Sequence, residues 1–496
     1  MNTVRSLVCA AVLSVLPALA AAQVPEQLRE AARQAVVSNP EVQARWNALQ
    51  ASDAERDVAR GGYFPTVDLN AGVGRERLRR PDLPSETYTR RGASLTLNQM
   101  VYDGFFTRNE VQRLGYARLV RYYELLDASE GAALEAVRAY ADVARYRDQV
   151  ELAKQNYVEH KRVFDQIDER VGAGVGRRVD LEQASGRLAL AESNLLTEVS
   201  NLHDVSARYL RIVGVPVAER LEAMPDDIGK DQLPASTTEV LRTALNTNPA
   251  LNAAVENVRA GQSAVETRRA ANHPRVDLRA RQAIDRNLDG VAGNTREGVV
   301  EVVLNYNLFR GGSDQARIRQ AADELNLAKD LREKACRDLR QTLSIAYNDT
   351  RRLTEQLGYL DQHQLSIEKA REAYRRQFDI GQRTLLDLLD TENEYFQARR
   401  AYVNARYDRV IAQARSLNGI GQLMSVLDVA REQMPTLAEL DQDREGIDPE
   451  SICPPDAPVP VLVDKEAIMA EALRDAGYTG VQAQPQPLAE PPAITN

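Results

Sequence analysis

Pro65-Thr66-Val67-Asp68-Leu69 and Pro274-Arg275-Val276-Asp277-Leu278 are two copies of one pattern, 209 positions apart. Asn39-Pro40 recurs as Asn248-Pro249 at the same shift. Downstream the shift settles at 207: Leu97-Asn98 matches Leu304-Asn305, Ala139-Tyr140 matches Ala346-Tyr347, Gly174 matches Gly381, and Asp180-Leu181 matches Asp387-Leu388. Two residues are lost once and the register then holds. An ordered series at a fixed period is the mark of a duplication.

Each copy reads alike. A short helix (25–38; 236–247) ends at Asn-Pro, because proline disfavours helical geometry in the residue before it. A second helix follows (41–62; 250–271). After Pro65 and Pro274 the period drops to two, the mark of a strand with two unlike faces. Val67, Leu69, Ala71 and Val73 alternate with Thr66, Asp68, Asn70 and Gly72; Val276, Leu278 and Ala280 alternate with Asp277, Arg279 and Arg281. Polar, turn-rich segments (75–92; 282–298) lead to a second strand in each copy, Ala93–Asn98 and Val300–Leu308. Helical stretches over 106–171 and 313–379 would each run on the order of 100 Å. Only a rod of coiled-coil type has room for that length. Return helices are expected over 179–213 and 385–420. In the first of these Leu181, Leu188, Leu195 and Leu202 recur every seven residues, with Ala184 and Ala191 between them, which makes a close-packing seam.

Composition narrows the class. The 496 residues carry a net charge of −9, so no basic footprint for nucleic acid exists. Aromatics are 5% and Trp46 is the single tryptophan, too few bulky groups for a large globular core. Residues 1–22 have the basic start, apolar middle and small-residue end of a secretory signal. Beyond them no stretch approaches the roughly 20 apolar residues of a membrane helix, so any membrane segment must be strands. Strands in lipid need every backbone group paired, and four strands are too few to close a barrel. Two chains would supply eight and three would supply twelve. Outside the signal, Cys336 and Cys453 remain, either as one disulfide or as two free thiols. Gly172, Gly174 and Gly176 join two helices rather than a strand and a helix, so they are not a phosphate loop. The four histidines are scattered without metal spacing or a nucleophile, and no catalytic, metal or cofactor site is expected.

The ordered set resembles the TolC family of outer-membrane efflux and type I secretion channels over about residues 25–425. The resemblance rests on the two repeats, Asn-Pro after the first helix and Pro-x-Val-x-Leu opening the strand. It also takes in Tyr102-Asp103-Gly104 with Phe309-Arg310-Gly311-Gly312, and the stretch Gly381-Gln382-Arg383-Thr384-Leu385-Leu386-Asp387-Leu388-Leu389-Asp390. It implies a mainly α fold with membrane β-strands: duplicated long helical hairpins and four strands per chain, which form a shared 12-stranded barrel in a homotrimer. It also implies an outer-membrane location, a periplasmic tunnel, and docking to an adaptor and an inner-membrane ABC or proton-driven transporter. The expected division is a signal (1–22), a first repeat (23–235), a second (236–425) and a C-terminal extension (426–496).

By the same resemblance Asp387 and Asp390 stand at the periplasmic entrance, where three copies would form an acidic ring. Asp180 and Arg383 match positions whose polar links hold that entrance closed. Phe378 stands where some members carry tyrosine, so any link through that hydroxyl is missing. The extended tail points to type I protein secretion, with small-molecule efflux as the alternative. A periplasmic coiled-coil adaptor or rod is the reading from a different class, and the period-two strands argue against it.

Overall fold

The computed structural model describes residues 24–81, 84–431, 434–440, 449–458 and 463–475. The signal expected over 1–22 lies outside them. Helix α1 (Glu26–Ser38) turns into α2 (Pro40–Arg60) at Asn39, whose backbone is extended (φ −63°, ψ 126°) and whose side chain accepts from the Glu41 amide at 2.8 Å. The second copy repeats the joint. Four strands intervene in chain order, β1 (Thr66–Leu78) and β2 (Glu86–Tyr102), then β3 (Arg275–Arg286) and β4 (Asn294–Asn305). Between β2 and β3 lie α3 (Phe106–Gly172), α4 (Arg178–Val213), α5 (Thr237–Thr247) and α6 (Pro249–Arg269). At the α5–α6 joint Asn248 accepts from the Leu251 amide at 2.9 Å, so one residue ends a helix and caps the next.

The strands form one antiparallel sheet in the order β1-β2-β3-β4, with the outer sides of β1 and β4 unpaired among the described residues. Register carries one row across all four, Val67–Leu97–Ala280–Val300. Neighbouring rows of that face hold Leu69, Leu95, Leu278 and Val302, all exposed. The other face carries Asp68, Thr96, Arg279, Glu301 and Asp277. The strands outrun the sequence reading, since Arg75–Leu78, Glu86–Gly92, Gln282–Arg286 and Asn294–Gly298 were expected in polar turns and instead pair in the ladder. Backbone pairing continues where side chains on both faces become polar, and there the alternation that reveals a strand fades.

After β4 come α7 (Ser313–Asp379) and α8 (Leu385–Gly419). Helices α3 and α7 are each 67 residues long, on the order of 100 Å. They pack laterally in the order α4, α3, α8, α7. The seam read in α4 is real, with a different emphasis: Ala184 and Ala191 are the buried residues and the leucines are half-buried. Small side chains let the backbones approach, and the longer ones drape over the flanks. The hairpin turns depend on Gly174 (φ 78°) and Gly381 (φ 77°), where a Cβ would be strained.

Beyond α8, a short turn α9 (Leu423–Val426) packs on α3, and α10 (Pro449–Ile452) runs into Cys453. Cys453 is disulfide-bonded to Cys336 of α7, 117 positions away in sequence, with Cα atoms 5.6 Å apart. Glu450 accepts from Arg242 of α5 at 2.5 Å, and the Asp456 carbonyl accepts from Arg340 of α7 at 3.0 Å. Closing a loop of that size removes about 4–5 kcal/mol of unfolded-chain entropy. Cys453→Ser is therefore expected to lower the apparent melting temperature and to speed protease cleavage between 434 and 456. Unchanged melting and cleavage would mean the other contacts hold the segment alone. A separate unit begins at Ala457, and within it Lys465–Asp475 is helical.

Candidate functional site at the helical tips

Four helix ends meet where the two hairpins turn. Val163 and Ile167 of α3, Ala184 of α4, Phe378 of α7 and Leu385, Leu388 and Leu389 of α8 share one buried apolar cluster. It joins the first hairpin to the second. The Arg170 guanidinium lies over the Phe378 ring at 5.3 Å, a cation–π contact that closes the cluster from outside. The position that lacks a hydroxyl is thus used for packing.

The sequence-predicted residues surround this cluster, each held by its own neighbours. Thr384 and Asp387 form a reciprocal capping box: the Asp387 amide donates to Thr384 Oγ1 at 3.2 Å, and Asp387 Oδ2 accepts from the Thr384 amide (3.2 Å) and hydroxyl (2.9 Å). Those hydrogen bonds, the hydroxyl's first, hold the Asp387 carboxyl below its ordinary range. It stays anionic at neutral pH. Arg383 donates to Gln377 Oε1 at 3.0 Å, covers the Tyr374 ring at 4.3 Å and approaches Asp387 at 3.9 Å. Asp180 takes a two-pronged pair from Arg177 on its own turn, at 2.9 and 3.0 Å. Asp390 accepts from Arg187 of α4 at 2.5 Å, so it also ties the two hairpins together. Within one chain the structure does not bring Asp180 to Arg383, and Asp390 carries its own counter-charge.

The residues that sequence reasoning missed are buried acids further up the rods. Glu198 lies seven residues beyond Ala191 in the α4 seam and is paired with Arg400 of α8 at 2.5 Å. The seven-residue interval from Ala184 through Ala191 pointed to it. Glu392 is buried beside Arg371 at 3.3 Å, and burial pushes its carboxyl up against the pull of Arg371 and Arg375. Arg375 of α7 in turn pairs with Glu159 of α3. His160 is a core residue whose Nδ1 contacts the Asn156 carbonyl at 2.8 Å. No cluster of metal-binding side chains occurs among the described residues.

Beyond the cluster the turns present bare apolar groups. Val175 and Val179 of the first hairpin, with Ile380 and Leu386 of the second, are all exposed. The arrangement has no nucleophile or proton-transfer pair. It is a mechanical joint of apolar packing and charge-assisted links between two rods, with a sticky end.

The sequence profile of the outer membrane efflux protein family matches residues 12–214 and 240–421. The outer membrane efflux protein BepC of Brucella suis is 26% identical over 84% of this chain and 91% of its own length. The alkaline protease secretion protein AprF of Pseudomonas aeruginosa is 26% identical over 77% of this chain and 81% of its own. Among solved structures, the outer membrane protein VceC of Vibrio cholerae superposes with a TM-score of 0.71 at 17% identity, covering 80% of this chain and 96% of that one.

Proposed function

The chain belongs to the outer membrane efflux protein family, and we propose that three copies close one twelve-stranded barrel above a periplasmic tunnel that passes secreted protein out of the cell. The observation that carries this reading is the sheet. One face is apolar across four strands, which suits lipid, while among the described residues both outer edges lack partners, which lipid does not tolerate until neighbouring copies pair those edges. The rods support it too. Helices α4 and α7 are the outer members of the row, and Leu196 and Val199 on the first and Leu327 and Leu331 on the second are exposed. A second copy would cover them.

The tips are the entrance in this reading. Asp387 supplies the permanent negative charge of the ring, and Asp390, offset by Arg187, contributes less. Asp180 and Arg383 hold the closed state through links between protomers, since within one chain they do not meet. Asp180→Ala and Arg383→Ser are each expected to raise closed-state conductance in planar bilayers; unchanged conductance removes both from the gate. Val175, Val179, Ile380 and Leu386 are the surface offered to a periplasmic adaptor, through which the channel meets an inner-membrane transporter. An N-terminal signal over 1–22 would deliver the chain to the periplasm.

Protein cargo is favoured by AprF, named for protease secretion, and by the extension that the disulfide fastens to α7. BepC, named for efflux, favours small molecules. A cell lacking its own channel, given this chain with an ABC transporter and adaptor, distinguishes them. Secretion of the transporter's protein substrate supports the first reading, and restored dye extrusion without secretion supports the second. Recovery as a soluble periplasmic monomer, with no heat-modifiable band in the outer-membrane fraction, excludes both.

A further inference from the structure

The sheet distributes its charges unevenly. Strand alternation and the register place Arg75, Arg77, Arg91, Arg286 and Arg296 on the same face as Val67, Leu69 and Leu97, the face that meets lipid in the proposed barrel. Every acidic residue of the four strands falls on the opposite face. Three of the four arginines of that opposite face are neutralised, Arg281 being the exception: Arg90 pairs with Glu76 at 3.1 Å, Arg275 with Asp277 at 3.0 Å and Arg279 with Glu301 at 3.7 Å. The outward ones are not. Arg77 donates to the Ser85 hydroxyl at 3.0 Å, and among the described residues Arg75, Arg91, Arg286 and Arg296 have neither an ion pair nor a side-chain hydrogen bond. Arg91 and Arg286 are direct cross-strand partners, so two like charges stand opposite each other on an exposed face. That pairing is unfavourable unless an anion joins it.

Position narrows the anion. All five arginines lie at the end of the sheet remote from the helices. The helical end carries exposed Phe64, Phe105 and Tyr306, as aromatic side chains do at a membrane–water boundary. From Tyr102 to Arg91 along β2 is roughly 36 Å, which a strand tilt of about 40° reduces to about 28 Å across the bilayer. The arginines therefore reach the second boundary, where headgroups begin, with the apolar band between. Guanidinium groups hold phosphate through two parallel hydrogen bonds, and adjacent guanidiniums can share one dianion.

We propose that this arginine rim binds the phosphate groups of a phosphorylated membrane lipid, for which diphosphorylated lipid A is the probe, in the leaflet facing away from the helices. The proposal rests on the barrel reading above, and the test separates the two. Full-length protein in a zwitterionic detergent is titrated with diphosphorylated lipid A, with dephosphorylated lipid A and with inorganic pyrophosphate. Binding is expected for the diphosphorylated lipid, with pyrophosphate at the same concentration unable to displace it. Arg91→Gln/Arg286→Gln/Arg296→Gln is expected to weaken it at least about tenfold, and Arg279→Gln/Arg281→Gln on the inner face less than about twofold. On the unaltered protein, raising salt from about 0.05 to about 0.5 M is expected to weaken binding as well, which keeps the proposal testable if the triple variant misfolds. Equal binding of the dephosphorylated lipid, or equal loss in the inner-face variant, overturns the lipid site while a heat-modifiable trimer persists. Failure of the unaltered chain to form that trimer overturns the barrel, and the lipid site with it.

Discussion

At pH 9 the Glu130→Gln variant is expected to melt well above the unaltered protein, and below pH 4 the two are expected to melt together. Glu130 lies on α3, 4% exposed, under the turn of α9. One carboxylate oxygen accepts from the Met424 amide at 3.3 Å, and the other has no hydrogen-bond partner among the described residues. Burial pushes its pKa up to about 8; the amides of Met424 and Leu423 oppose that shift, and neighbouring Asp127 reinforces it. The folded state thus holds a proton that the unfolded chain releases near the usual 4.5. A raised carboxyl makes its full contribution to stability below the unfolded value, and that contribution is lost as pH rises through the folded one. The loss spans pH 4.5 to about 8 and amounts to on the order of 5 kcal/mol above it. Glutamine keeps the shape and cannot ionise, so it escapes that cost. A pH series of apparent melting temperatures for both proteins checks this, and a constant gap from pH 5 to pH 9 would show that Glu130 does not titrate in that window.

Why was this acid, like Glu392, invisible as a buried group? On a helix an acidic residue reads as part of a solvated face, and nothing local says that a second helix will cover it. The fold was legible because its signals are local and repeated. Asn-Pro fixes the helix joints, glycine fixes the hairpin turns, and period-two apolar residues mark the strands between Val67 and Leu304. The limits of those strands were not legible, because Arg75–Leu78 and Glu86–Gly92 have no apolar alternation to display. The tip residues were legible in place but not in partner. Asp180 faces Arg177 three positions before it, and Asp390 faces Arg187 across the hairpins, a contact that no spacing within one chain segment encodes. The charge division of the sheet was likewise hidden until register assigned each arginine to a face.

The largest change at the proposed entrance is expected from Phe378→Ala. Phe378 is buried where all four helix ends converge, so alanine removes the ring that fills the space between the α3 and α8 tips. Truncating a buried phenylalanine costs about 3–5 kcal/mol, and the Arg170 cation–π contact is lost with it. The tip has few means to absorb such a loss. Its remaining links between hairpins are exposed or half-exposed ion pairs such as Arg187–Asp390, worth about 1 kcal/mol or less each. Leu389→Ala, in the same cluster, removes less volume but at a fully packed site, and about 2–5 kcal/mol is expected there. Both variants should loosen one hairpin against the other and leave the sheet and the Cys336–Cys453 tether untouched. On the trimeric channel reading proposed above, planar bilayers are expected to show a higher closed-state conductance for Phe378→Ala than for Asp180→Ala or Arg383→Ser, at unchanged trimer yield. If the polar variants open the pore and Phe378→Ala does not, the entrance is held by charge between protomers and the apolar cluster only supports each hairpin pair from within.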